Sequence, residues 1–141
     1  LNNEIKQDHV KYKEKQAKTT QQGKQGMDKI KLVINDQILN IELEDNSTVE
    51  ELLTRLPMTL SMDDLYGNEK YYYLDEGFPT NRQSVGSIQA GDIMLFGTDC
   101  IVIFYESFST TYQYTRIGHI SDSSSLKQIL GNGNVEVTFE K

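Results

Sequence analysis

The sequence predicts a mainly β protein, a closed β-barrel of about eight strands with two capping helices. Three observations carry that expectation. Short apolar segments recur through most of the chain, separated by turns rich in Gly, Asn and Asp. Only two stretches place apolar residues at helical spacing. The regular β-α alternation that signals a parallel sheet is absent.

The elements follow in order. Ile30-Lys-Leu-Val-Ile34 and Ile38-Leu-Asn-Ile-Glu-Leu43 form a hairpin around Asn35-Asp36-Gln37. Ser47 and Glu50 then have the capping-box spacing, and Glu50 and Glu51 stand where a helix dipole favours anions. Val49, Leu52, Leu53 and Leu56 recur at helical spacing and Pro57 stops them, which predicts an amphipathic helix of about three turns. Met58-Thr-Leu-Ser-Met62 alternates like a strand with one buried face. Asp63-Asp64 reads as a solvated acidic bend, and Gly67-Asn68 leads into the strand Glu69-Lys-Tyr-Tyr-Tyr-Leu74.

Residues 75–90 hold Gly77, Pro79 and Gly86 among polar groups and read as a long loop, a kind of segment that often carries function. Gly91 to Phe96 and Cys100 to Tyr105 are apolar on both parities, as strands buried on two faces are, with Gly97-Thr98-Asp99 as a tight turn. Tyr112 to Ile120 makes a further strand. Leu126, Ile129 and Leu130 form the apolar face of a short helix near residues 123–130 that Gly131 ends, and Val135 to Phe139 closes the chain.

Composition divides the molecule. The first 26 residues hold six Lys, three acids and five Gln, with few groups that could pack. Residues 1–27 therefore read as a polar, mobile tail or tether, and residues 28–141 as one barrel domain. Of 14 basic and 21 acidic residues, those first 26 positions take six and three, which leaves eight and eighteen, a net of −10, for the rest. A domain so acidic repels phosphate backbones and anionic lipid surfaces, so no nucleic acid is expected as a partner. No span resembles a membrane helix. The polar leader that begins at Leu1 is what removal of a secretory or lipoprotein signal would leave, so an N-terminal anchor lost from the chain is one expectation. The protein would then be exported or lipid-anchored, and otherwise cytoplasmic.

The order of motifs resembles the bacterial cyclophilin-like domain family, small barrels of cyclophilin architecture without an established isomerase activity. The resemblance rests on Leu52-Leu53-x-x-Leu56-Pro57, Gly67-Asn68-Glu69-Lys70, Gly91-Asp92-Ile93, Ile101-Val-Ile-Phe104-Tyr105 and Ile117-Gly118-x-Ile120. It covers about residues 28–140. Arg116 departs from the apolar residue or proline expected there.

Gln89-Ala-Gly-Asp92 is similar to the Q-G-G-D of cyclophilin prolyl isomerases. That reaction needs an arginine to polarise the prolyl amide, carried in active cyclophilins by a Phe-His-Arg motif upstream of the glutamine. Here the residues before Gln89 are Arg82-Gln-Ser-Val-Gly-Ser-Ile, so catalysis is not expected and no catalytic residue is assigned. Two histidines and one cysteine, His9, His119 and Cys100, allow no disulfide and no thiolate cluster. A site of His119 with carboxylates, or a Cys100–His119 nucleophilic pair, is weaker than a structural role for each, and neither a metal nor a cofactor is expected.

The aromatic residues carry the functional expectation. Tyr71 and Tyr73 share one strand face, Tyr112, Tyr114 and Arg116 another, and Phe78 and Phe108 lie in loops that could meet them. Tyrosine beside arginine is favoured at recognition surfaces. The sequence thus predicts a non-catalytic binding module for a peptide, protein or small ligand, at a rim of residues 71–78 and 108–116 with Glu69 and Arg116 supplying charge. A divergent prolyl isomerase or other enzyme in the same cleft is the alternative, and a structural accessory domain is a third reading.

Overall fold

Strands that alternate apolar and polar residues each have one face to bury, and a sheet curled onto itself buries all of those faces together. The computed structural model describes residues 28–141. The tail expected over residues 1–27 lies outside the described residues.

The chain opens with β1 (Lys29–Ile34), β2 (Gln37–Leu43), α1 (Ser47–Thr54), β3 (Met58–Leu65) and β4 (Glu69–Tyr73). Two-residue strands β5 (Gln83–Ser84) and β6 (Ser87–Ile88) precede the hairpin of β7 (Asp92–Phe96) and β8 (Cys100–Phe104). Then come β9 (Phe108–Ser109), β10 (Gln113–Ile120), α2 (Leu126–Leu130) and β11 (Val135–Glu140). Eight strands close in the order β1-β2-β10-β7-β8-β4-β3-β11 and back to β1, every pairing antiparallel. The β2–β10 seam places Gly118 opposite Leu43, where a Cβ would come within 2.6 Å of the Glu42 carbonyl oxygen. Only glycine lets those backbones approach so closely.

Two apolar clusters result. The larger one fills the barrel: Ile30, Leu32 and Ile34 of β1 meet Ile93, Leu95, Ile101, Ile103, Val137 and Phe139 there. Val49 and Leu52 of α1 and Leu126 and Leu130 of α2 join it. The smaller one lies on the other face of β7 and β8, where Met94, Cys100, Val102 and Phe104 pack with Ile88 and Tyr114. The β6–β9 ribbon, with Phe108 opposite Ile88, contributes to this second cluster, and β5 pairs with the start of β10. The two-parity apolar runs read in the sequence thus have an inner and an outer partner.

Three local expectations are corrected. The helix cap is Asn46 and not Ser47: Asn46 Oδ1 accepts from the Val49 amide at 2.9 Å while Nδ2 donates to the Arg116 carbonyl at 2.8 Å. One amide therefore satisfies the helix and a distant strand together, which a serine hydroxyl could not span. The helix ends at Thr54, short of three turns, because Leu56 stands before Pro57 and such a residue disfavours helical geometry. Asp63 and Asp64 form no bend. They continue β3 to Leu65, and the turn falls at Tyr66-Gly67, both at positive φ.

Asp64 stays in the strand because it faces a cation. Lys70, opposite it on β4, is fully buried; its Nζ lies 3.0 Å from Asp64 Oδ1 and donates to the carbonyls of Gly131 (2.9 Å) and Gly133 (2.6 Å). The Tyr105 hydroxyl donates to the same carboxylate oxygen. Burial opposes ionisation of Asp64, but the Tyr105 hydroxyl, the Lys70 ammonium and the Gly67 amide together hold its carboxyl below the usual range. A buried charge with this many partners is stabilised in place.

Candidate functional site

Strand β4 alternates sharply. Lys70 and Tyr72 turn toward the barrel core, which sends Glu69, Tyr71 and Tyr73 to the outer wall. Register then sets what stands beside them. Tyr71 pairs with Val102 and Tyr73 with Cys100 on β8; Val102 in turn pairs with Met94 and Cys100 with Phe96 on β7. Strand β10, next to β7, carries Tyr114, with Tyr112 just before it. From β4 to β10 is three strand spacings, about 14 Å, a gap that opposed tyrosine side chains can flank.

Between them lies a pocket of about 250 Å³. Cys100 and Val102 form its floor, Tyr71 and Tyr73 one wall, and Phe96, Tyr112 and Tyr114 the other, with Leu65 and Glu69 at one end. The rings brace one another. Tyr71 and Tyr73 meet edge to face at 5.9 Å between centroids, and Phe96 lies 5.8 Å from Tyr112 and 5.7 Å from Tyr114. Tyr114 is also held edge-on to Phe104 at 5.5 Å. These are the offset arrangements aromatic rings prefer. Tyr114 is buried, whereas Tyr73 and Tyr112 are 60% and 62% exposed and free to meet a ligand.

The electrostatics of the pocket are one-sided. Burial, then the nearby Asp64 charge, raises the Glu69 carboxyl above the usual range. Among the described residues Glu69 makes no ion pair. Burial pushes the Cys100 thiol up to about 11, so the sulfur is a protonated, apolar part of the floor and no nucleophile. Burial, with Glu69 next, pushes Tyr114 up to about 12.

Of the residues singled out in the sequence, Glu69, Tyr71, Tyr73, Tyr112 and Tyr114 are brought together at this pocket. Three stand elsewhere. Phe78 is buried in the main core beneath the Arg55 guanidinium, 4.0 Å from its ring centroid. Phe108 packs on Phe104 and lines a separate, open groove with Ser87, Gln89 and Ser109. Arg116 does not line the pocket; its carbonyl holds Asn46. Leu65, Phe96 and Val102 are not expected at the site from sequence, nor is Cys100 as part of its floor, although the two-parity apolar runs of β7 and β8 signal that this outer face is covered.

A cyclophilin-like family model matches residues 32–140. The chain belongs to the cyclophilin-like family. The solution structure of a hypothetical protein from Archaeoglobus fulgidus has the same fold, with a TM-score of 0.53 and 17% identity, over 84% of this chain and 98% of that one. No curated protein matches the chain.

Within this family frame the Gln89-to-Asp92 turn is structural. The Gln89 amide donates to Asp92 Oδ2 at 2.8 Å, the Asp92 amide donates to the Gln89 carbonyl, and Gly91 takes a φ of 102°. Asp92 Oδ1 lies 2.8 Å from His119 Nδ1, which orients that ring. Cys100 pairs with Phe96 and His119 with Asp92, at opposite ends of β7, so the two lie roughly 13 Å apart along the strand. They form no nucleophilic pair. No group of three His, Cys, Asp or Glu side chains among the described residues could hold a metal ion. None of their helices is long and apolar enough to cross a membrane.

Proposed function

We propose that this cyclophilin-like domain is a binding module whose site is the tyrosine-walled pocket on the outer face of β4, β8, β7 and β10. One observation carries the reading: five aromatic rings and one carboxylate, from three strands and the residue just before the last of them, converge on a single concavity of about 250 Å³. That volume suits a small ligand or one side chain of a peptide or protein. No arginine lines it. The guanidinium expected to polarise a prolyl amide is thus missing from the wall where substrate would sit, which supports binding without catalysis. In this reading the two helices serve as caps to the barrel, through Val49, Leu52, Leu126 and Leu130.

A thermal-shift screen of small ligands and peptides tests the proposal. A ligand at a hundred times its Kd adds about 2.7 kcal/mol to stability. The shift is expected to vanish in Tyr73→Ala and Tyr112→Ala, both at exposed positions where the fold tolerates truncation. Hits whose shifts survive both substitutions would place binding elsewhere and overturn the reading.

A further inference from the structure

The pocket has a chemical bias that its shape alone does not explain. Its walls are ring faces and edges, and its floor is apolar. Among the described residues its single formal charge is the Glu69 carboxylate, half-buried. Lys70, the next residue, points to the opposite side of the strand and is consumed by Asp64 and two carbonyls. The Asp64 charge near Glu69 is offset by Lys70, whereas Asp99, near Tyr73, adds to the negative side of the site. Around the site, residues 28–141 carry eighteen acidic groups against eight basic.

We propose that this pocket takes the head of an alkylammonium cation, with Tyr71, Tyr73, Tyr112 and Phe96 as the aromatic cage and Glu69 as its counter-charge. The proposal rests on the binding-module reading and names the ligand chemistry of that site. A cation over a tyrosine face is attracted by the negative face of the ring quadrupole, an effect that grows as water is excluded. Glu69 adds a full charge, and its cost of burial falls when a cation arrives beside it. Methylation of the nitrogen matters. A primary ammonium is strongly hydrated and needs an acceptor for each of three protons. Glu69 is the one charged acceptor in the lining, so a trimethylammonium group, which needs none, enters at lower desolvation cost. The net negative domain would also steer such a ligand inward.

Two sources share this chemistry, a free choline-like molecule and an Nε-trimethyllysine side chain on a peptide. The test is an NMR titration of the full chain with choline, with a short peptide bearing Nε-trimethyllysine, and with 3,3-dimethylbutan-1-ol, the uncharged carbon isostere of choline. Choline or the peptide is expected to shift the resonances of Tyr71, Tyr73, Tyr112 and Glu69, and the tighter of the two identifies the source. The neutral isostere is expected to bind about tenfold more weakly or worse, a difference of about 1.4 kcal/mol. Glu69→Gln, which preserves shape, is expected to remove most of that preference without altering isostere binding. Equal binding of choline and its isostere at the pocket would leave the binding-module reading standing and overturn the cation assignment. Saturation by none of the three probes at tens of millimolar would overturn the cation assignment, and ligands from the thermal-shift screen then decide the module reading independently.

Discussion

Glu69 and Lys70 are neighbours on one strand, and the fold treats their charges in opposite ways. Lys70 goes into the barrel, loses all contact with water, and receives a carboxylate and two carbonyls in return. Glu69 goes to the outer wall, keeps part of its exposure, and makes no ion pair among the described residues. The difference separates structure from function. A fully satisfied buried charge ties elements together, here β3, β4 and the turn after α2. An ion left partly desolvated and without a counter-charge among the described residues costs stability, and a cationic ligand at the proposed site would offset that cost.

Perturbing the two sides of β4 tests that contrast. The largest effect is expected from Lys70→Ala, which takes the cation from Asp64 and the donor from the Gly131 and Gly133 carbonyls. Stability measured by urea unfolding should fall by about 3–5 kcal/mol. A loss below about 1 kcal/mol would show that the inner charge is not structural and would erase the comparison. Next is Tyr114→Ala. Tyr114 is buried among Phe104, Phe96 and Val102, so its removal should cost about 3 kcal/mol.

Acid should then loosen the inner network. Asp64 is held below the ordinary carboxylate range in the folded state, so the unfolded chain binds protons first as pH falls. Its contribution is complete above the ordinary value of 3.8 and is lost as pH drops through the lowered folded value. Urea midpoints along an acid series should fall there in the wild type and much less in Asp64→Asn.

Glu69 should show the opposite sign and a smaller effect. Its folded carboxyl is raised by burial, then by Asp64; Tyr114 and Cys100 line the same pocket, and Tyr105 lies nearby on the core side. Above the raised value the ionised form burdens the fold; below the ordinary value of 4.5 the burden is gone. Glu69→Gln should therefore raise the Tm slightly at neutral pH and leave it unchanged well below that value. A Tm lowered at neutral pH would mean that Glu69 supports the fold instead of a ligand. The smallest change is expected at Tyr112, whose exposed ring should cost no more than about 0.5 kcal/mol on conversion to alanine while ligand binding falls.

Much of the barrel was legible beforehand because strand burial has a period of two. Ile30-x-Leu32-x-Ile34 and Val135 to Phe139 announce their inner faces directly, and the two-parity runs of β7 and β8 announce an outer cover. The helix cap was less legible: Ser47 and Glu50 have the letters of a capping box, but Asn46 reaches a carbonyl 70 residues away and takes the position. Asp63-Asp64 misled for a similar reason. Two consecutive acids look solvated until a buried lysine stands opposite one of them.

For the site, strand parity alone grouped Tyr71 with Tyr73 and Tyr112 with Tyr114, and charge balance alone argued against a phosphate-bearing partner. Local sequence was sufficient there because side-chain direction along a strand is a property of the backbone. Which pairs would meet was decided by register across four strands, since Tyr71 reaches the β10 tyrosines only through Val102, Met94 and their neighbours. The same long-range pairing set Phe78 into the core, left Phe108 and Arg116 outside the pocket, and made Cys100 and Val102 its floor. It also gave Lys70 partners and left Glu69 with no ion pair among the described residues, because burial and partner count depend on residues brought together from distant parts of the chain.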